Sequence, residues 1–186
     1  MASNLQADIG FLNVTTGIQK SIQPPGFLVG DAPRSAARGR GRDTLLIRLH
    51  IHDNVTSQVN TLTSLLQLAS GRFFGTSGSL TSAAREAIGI VNTKLLEDTS
   101  SYPHIDAPRQ PGITCAVLRG SELYLVQTGP GTAFTLHHNS TQQFPDPDRQ
   151  LRPLGKMNNP EIHYFHTRLM EGDWLILCNE QPAGWK

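Results

Sequence analysis

Between Gly112 and His138 the chain reads GITCAVLRGSELYLVQTGPGTAFTLHH, and no other stretch restricts its fold as tightly. Ile113, Cys115 and Val117 alternate with Thr114, Ala116 and Leu118, the period of a strand with two distinct faces. Arg119-Gly120-Ser121-Glu122 breaks the pattern as a hairpin turn would, and Leu123 to Val126 resumes it. Thr128-Gly129-Pro130-Gly131 is a second turn, with glycines free to take positive φ and a proline of fixed φ, before Ala133 to Leu136 extends again. Three consecutive strands, forming a meander, are expected.

The rest of the chain supplies helices to cover such a sheet. Thr44 to Asp53 reads as a strand with Leu45, Ile47, Leu49 and Ile51 on one face and Leu46, Arg48, His50 and His52 on the other. A helix over Thr56 to Ala69, ended by Gly71, carries Val59, Leu62, Leu65, Leu66 and Leu68 as an apolar stripe. A second helix starts at the N-cap Ser79 and holds Leu80, Ala83, Ala84, Ala87, Ile88, Val91 and Leu95 on one face through to Glu97. Short extended patterns at Ile9 to Thr16 and Gly26 to Val29 suit sheet edges, and the proline-rich run from Thr99 to Pro111 suits a surface connection. After an irregular run from Phe144 to Pro160, strands are expected at Glu161 to Leu169 and Trp174 to Cys178. Strands, two helices, then about five antiparallel strands describe one α+β domain over residues 1–186, with helices packed on antiparallel sheet.

Taken together, these segments resemble the metal-dependent protein serine/threonine phosphatases of the PPM, or type 2C, family. In that family a Gly-Thr-Thr strand, a hairpin and a Val-Gly-Asp-Ser-Arg-hydrophobic strand follow at the spacing seen from Gly112 onward. Arg152-Pro153-Leu154-Gly155 is similar to its Leu-Gly turn, and Gly172-Asp173-Trp174-Leu175-Ile176-Leu177-Cys178 to its Gly-Asp-hydrophobic-Leu-Cys strand. The resemblance implies two packed antiparallel β-sheets flanked by helices, with a Mn or Mg site at one end of the sandwich. It also implies a role in bacterial-type signalling, and a chain truncated before the family's last helix and strand.

The family's acids are what this chain has replaced. Two divalent ions held by aspartates would lower the pKa of a bridging water so that hydroxide attacks phosphorus, and hard cations require carboxylate ligands. The family's Asp-Gly pair after the first long strand is His50-Ile51-His52-Asp53-Asn54 here, and its Gly-Asp-Ser-Arg is Gly129-Pro130-Gly131-Thr132. Its Ser-Asp-Gly is Asn179-Glu180-Gln181, and an upstream Glu-Asp pair has Gly30-Asp31-Ala32 as its counterpart. The candidate metal ligands are therefore Asp53, Glu180, Asp31 and His52. Asp53 has a helix-capping role as its alternative, and paired histidines at i and i+2 are more often solvent-facing or hydrogen-bonded than ligating. Arg34, Arg38, Arg40 and Arg42 form a loop cluster, read either as solvated or as a phosphate or acidic-peptide contact, with Arg34 and Arg38 the phosphate-binding candidates.

A net charge of +1 over 186 residues lacks the basic excess of a nucleic-acid-binding protein. No apolar run approaches the roughly 20 residues of a membrane span, and Met1 to Gln6 lacks the basic start of a signal peptide. Cys115 and Cys178 sit in apolar strand patterns, as free thiols of a cytoplasmic protein do. The sequence thus points to a degenerate, non-catalytic PPM-like domain with no cofactor, acting as a regulatory module for a protein or phosphoprotein partner. The alternatives are an active Mn- or Mg-dependent phosphatase with unorthodox ligands and a purely structural domain of a larger protein.

Overall fold

A computed structural model describes residues 5–15, 18–20, 23–51, 59–101, 110–146 and 151–178. A small hairpin, β1 (Asn13–Thr15) with β2 (Ile18–Lys20), precedes β3 (Phe27–Asp31) and β4 (Asp43–His50). Helices α1 (Val59–Gly75) and α2 (Leu80–Ser101) follow, and then β5 (Gly112–Arg119), β6 (Glu122–Thr128), β7 (Thr132–His137), β8 (Ser140–Phe144), β9 (His163–Arg168) and β10 (Trp174–Cys178). All pairing is antiparallel, in a five-stranded sheet of order β3-β4-β5-β6-β9 and a three-stranded sheet of order β10-β7-β8.

The expected meander is corrected by this topology. β5 and β6 are a hairpin of the larger sheet, but β7 lies in the smaller one, paired with β10 and β8. Gly129 (φ 70°) and Gly131 (φ 143°) let the chain leave one sheet and enter the other within three residues. β8 has no counterpart in the sequence reading because Ser-Thr-Gln-Gln-Phe shows no apolar alternation, and its pairing with β7 alone makes it a strand.

Two cores result. The larger lies between the helices and the five-stranded sheet, where Leu45, Ile47 and Leu49 of β4 meet Leu65, Leu66 and Phe73 of α1 and Ala83, Ala87, Ile88 and Val91 of α2. The run of alanines on α2 admits close approach of neighbouring elements. The smaller core fills the space between the sheets with Leu46, Ala116, Leu123, Leu125, Ala133 and Phe144. Both faces of β4 are therefore covered.

Helix α1 continues past Gly71 to Gly75, against the expectation, because Phe73 and Phe74 are buried and pack edge to face at 5.1 Å. Two buried rings outweigh the roughly 1 kcal/mol that a mid-helix glycine costs. Val59 and Leu68, placed on the apolar stripe, are instead exposed. Ser79 caps α2 as expected, its Oγ accepting a hydrogen bond from the Ser82 N–H at 3.1 Å. Among the described residues no helix is long and apolar enough to cross a membrane.

Within the irregular run after β8, the described residues 151–160 are pinned against α2. Asn92 of α2 donates to the Met157 carbonyl at 2.9 Å and accepts from the Gly155 N–H at 2.9 Å, while Leu154 is buried against the larger core. Gly155, at φ 70°, abuts Leu95 where a side chain would not fit.

Candidate functional site

One pole of the sandwich gathers the ends of strands from both sheets. His50 closes β4 opposite Gly112 at the start of β5, and Ile113 pairs with Thr128 at the end of β6. Gln127 faces His163 at the start of β9, and Thr132 of β7 faces Cys178 at the end of β10. The Gly129-Pro130-Gly131 turn bridges the two sheets between them. Close approach is built in, since a side chain at Gly112 would collide with the Pro130 carbonyl and stand 2.6 Å from the His50 ring.

Across the inner face at this pole runs a row of polar residues, Arg48, Thr114, Gln127 and His163, in register on four adjacent strands. Gln127 is 1% exposed and donates from Nε2 to Thr114 Oγ1 at 3.0 Å, while its Oε1, like the Oγ1 of buried Thr128, has no hydrogen-bond partner among the described residues. His163 Nε2 lies 3.3 Å from the exposed Glu161 carboxylate. The half-polar face of β4 is thus turned inward, and His50, only 9% exposed, is buried rather than solvent-facing.

Arg48 is the charged member of this row. Its Nη1 donates to the carbonyls of Pro25 (3.1 Å), Gly26 (3.1 Å) and Leu49 (2.8 Å), fixing the entry of β3 to β4. Burial holds the guanidinium below its usual pKa, an effect that Cys178 partly opposes. Burial in turn raises the Cys178 thiol, with Arg48 pulling it down, and burial pushes Cys115 up to about 12. Both cysteines are free, as expected, with Cys115 buried and Cys178 half-buried.

Of the candidate ligands, His52, Asp53 and Glu180 lie outside the described residues. Asp31 is placed at the other pole. It pairs with Thr44 at the start of β4 and accepts a hydrogen bond from the Thr44 hydroxyl at 2.6 Å. The strand takes six steps from Thr44 to His50, about 20 Å. The end of β3 that reaches the polar pole carries Gln23-Pro24-Pro25-Gly26 instead. Exposed Arg34 and Arg38 lie in the loop joining β3 to β4, again at the far pole, so they do not line the polar row.

Arg40, from the same loop, is not the solvated arginine expected. It is 1% exposed and bonds the side chain of Asp43 at 3.0 Å and the Gly78 carbonyl. Arg119 holds the same carboxylate through Nε at 2.6 Å and Nη2 at 2.9 Å. The sequence reading missed this cluster, whose one local signal is the i,i+3 spacing of Arg40 and Asp43.

Among the described residues no three His, Cys, Asp or Glu side chains converge to hold a metal ion. The groups that do converge among the described residues are a guanidinium, an imidazole, an amide, a hydroxyl and a thiol, with no carboxylate among them, whereas Mg²⁺ and Mn²⁺ sites are built on carboxylates. No protein-family model matches the chain. No curated protein matches it either. Solved structures do. A mutant bacterial serine phosphatase aligns with a TM-score of 0.61 at 13% identity, covering 83% of this chain and 69% of that one. The Mycobacterium tuberculosis serine/threonine phosphatase PstP/Ppp aligns at 0.53 and 14%, covering 81% and 75%. Serine/threonine phosphatase Stp1 from Staphylococcus aureus aligns at 0.57 and 11%, covering 91% and 74%. With its two antiparallel sheets and helix pair, this chain has the fold of the PPM-type serine/threonine phosphatases.

Proposed function

We propose that this domain works without catalysis, as a regulatory module that recognises phosphorylated protein. The observation that carries the reading is Arg48. Its guanidinium is fixed by three backbone carbonyls at the pole where the sheets meet, and no carboxylate among the described residues pairs with it. A fixed cation in a partly desolvated setting repels a divalent ion and attracts a phosphate. Among the described residues the hydrogen bonds of Arg48 all come from Nη1, which leaves the Nε and Nη2 hydrogens for a phosphoryl group of matching fork geometry. The fold shared with serine/threonine phosphatases supports a phosphoserine or phosphothreonine ligand, and the loss of the motif's aspartate at Gly129-Pro130-Gly131-Thr132 supports the absence of turnover.

Inorganic phosphate in EDTA is expected to raise the melting temperature, by about 1.4 kcal/mol of stabilisation at ten times its dissociation constant. Arg48→Met abolishes this gain, and Arg48→Lys, which keeps the charge, retains part of it. A phosphate effect that persists in a folded Arg48→Met variant, or one that requires added Mn²⁺, would overturn the reading.

A further inference from the structure

Strand β9 ends the five-stranded sheet, and among the described residues its only neighbour is β6. Every second residue of an edge strand turns its N–H and C=O to the open side, where another strand can pair. On the helix-side face of β9, Tyr164, His166 and Arg168 follow at every second position and all three are exposed. The two-helix layer stops short of this strand. Between α2 and Tyr164 it leaves a cavity of about 330 Å³ lined by Ser79, Thr81, Ser82, Arg85 and Tyr164.

On the helix-side face of this edge two guanidiniums, Arg85 and Arg168, stand beside one carboxylate, Glu122, while the exposed Glu161 lies before the strand, next to His163. His166 and Arg168 share a single carboxylate, Glu122, at 2.7 and 3.8 Å. Glu86, the carboxylate next to Arg85 in sequence, is already paired with Arg72 at 2.9 Å. Arg85 is exposed and has no ion-pair or hydrogen-bond partner among the described residues. His166 is stacked on Tyr124 with ring centroids 4.5 Å apart, and Arg168 Nε is tied to Ser121 Oγ at 3.3 Å. These side chains are thereby held over their own sheet and do not block the open edge.

We propose that this edge docks an extended segment of a partner protein bearing acidic residues at alternate positions. Added antiparallel or parallel to β9, such a strand places every second side chain on the face of Tyr164, His166 and Arg168. The carboxylate nearest Tyr164 reaches the cavity and Arg85, and the next two meet His166 and Arg168. Main-chain pairing provides the affinity and the charge alternation provides the selection.

The test uses the full chain with a fluorescent Glu-Val-Glu-Val-Glu-Val peptide, its Gln-for-Glu counterpart and a phosphoserine-for-glutamate counterpart. Fluorescence anisotropy and amide hydrogen exchange are the readouts. The glutamate peptide is expected to bind, the glutamine peptide to bind at least about fivefold more weakly, and Arg85→Ala to cost about fivefold. Arg85 is exposed, so its removal leaves the fold intact. Amides of β9 are expected to gain protection on binding, which a purely electrostatic surface contact would not produce. Equal binding of the glutamine peptide, an unchanged affinity in Arg85→Ala, or β9 amides that stay unprotected would each overturn the proposal. So would binding confined to the phosphoserine peptide.

Discussion

Replacing Asp43 by alanine is expected to destabilise the protein by about 3 kcal/mol, because it strands the buried Arg40 charge and unties the more exposed Arg119 from the same carboxylate. The Asp43 side chain is fully buried, and Arg40 and Arg119 both bond to it. Arg40 also bonds the Gly78 carbonyl just before α2, while Arg119 reaches the Gly39 carbonyl at 2.9 Å. One carboxylate thus ties together the β3–β4 loop, the helix pair and the β5–β6 hairpin. Burial already pulls the Arg40 guanidinium below its usual pKa, and Asp43 is the group that opposes the shift. Urea unfolding of Asp43→Ala should show a lowered midpoint with an unchanged slope. A loss of less than about 1 kcal/mol would mean that the cluster is effectively solvated.

Gly112→Ala should cost about 3 kcal/mol, the upper part of the range for overpacking, because the obstacle is backbone. The added methyl would meet the Pro130 carbonyl, which cannot rotate aside as a side chain can, and the His50 ring at 2.6 Å. Gly112 and Pro130 lie where β4, β5 and the sheet-to-sheet turn converge, so the same substitution should also weaken phosphate binding at Arg48. Thermal unfolding and phosphate titration of the variant check both effects. A variant as stable as the parent would show that the turn is free to move away.

Periodicity made much of this architecture legible. The alternation in β4, β5 and β6 and the apolar face of α2 each follow from burial on one defined side, and each element lies where its pattern placed it. What the sequence did not reveal depends on contacts between distant segments. The polar strand β8 exists only through its pairing with β7, and α1 runs past Gly71 because Phe73 and Phe74 find a core. The crossing of β7 into the second sheet uses the same glycine and proline chemistry as an ordinary hairpin turn.

The site was less legible for the same reason. Arg48 stood on a half-polar face of β4, and only the second sheet makes that face interior. Asp31 fitted a carboxylate role by sequence order alone, yet antiparallel pairing with Thr44 carries it to the far pole. Arg40 looked like one of four loop arginines until Asp43, hydrogen-bonded within the turn, drew it into the interior.

The most direct test of a non-catalytic domain is calorimetric titration with Mn²⁺, with p-nitrophenyl phosphate turnover measured in the same samples and an Asp53→Ala, Glu180→Ala double variant alongside. The expected result is no saturable Mn²⁺ binding and no turnover above the double variant, in a sample whose cooperative thermal unfolding shows it to be folded. Tight Mn²⁺ binding with turnover that the double variant loses would contradict the account and make the chain an active metal-dependent phosphatase with unorthodox ligands.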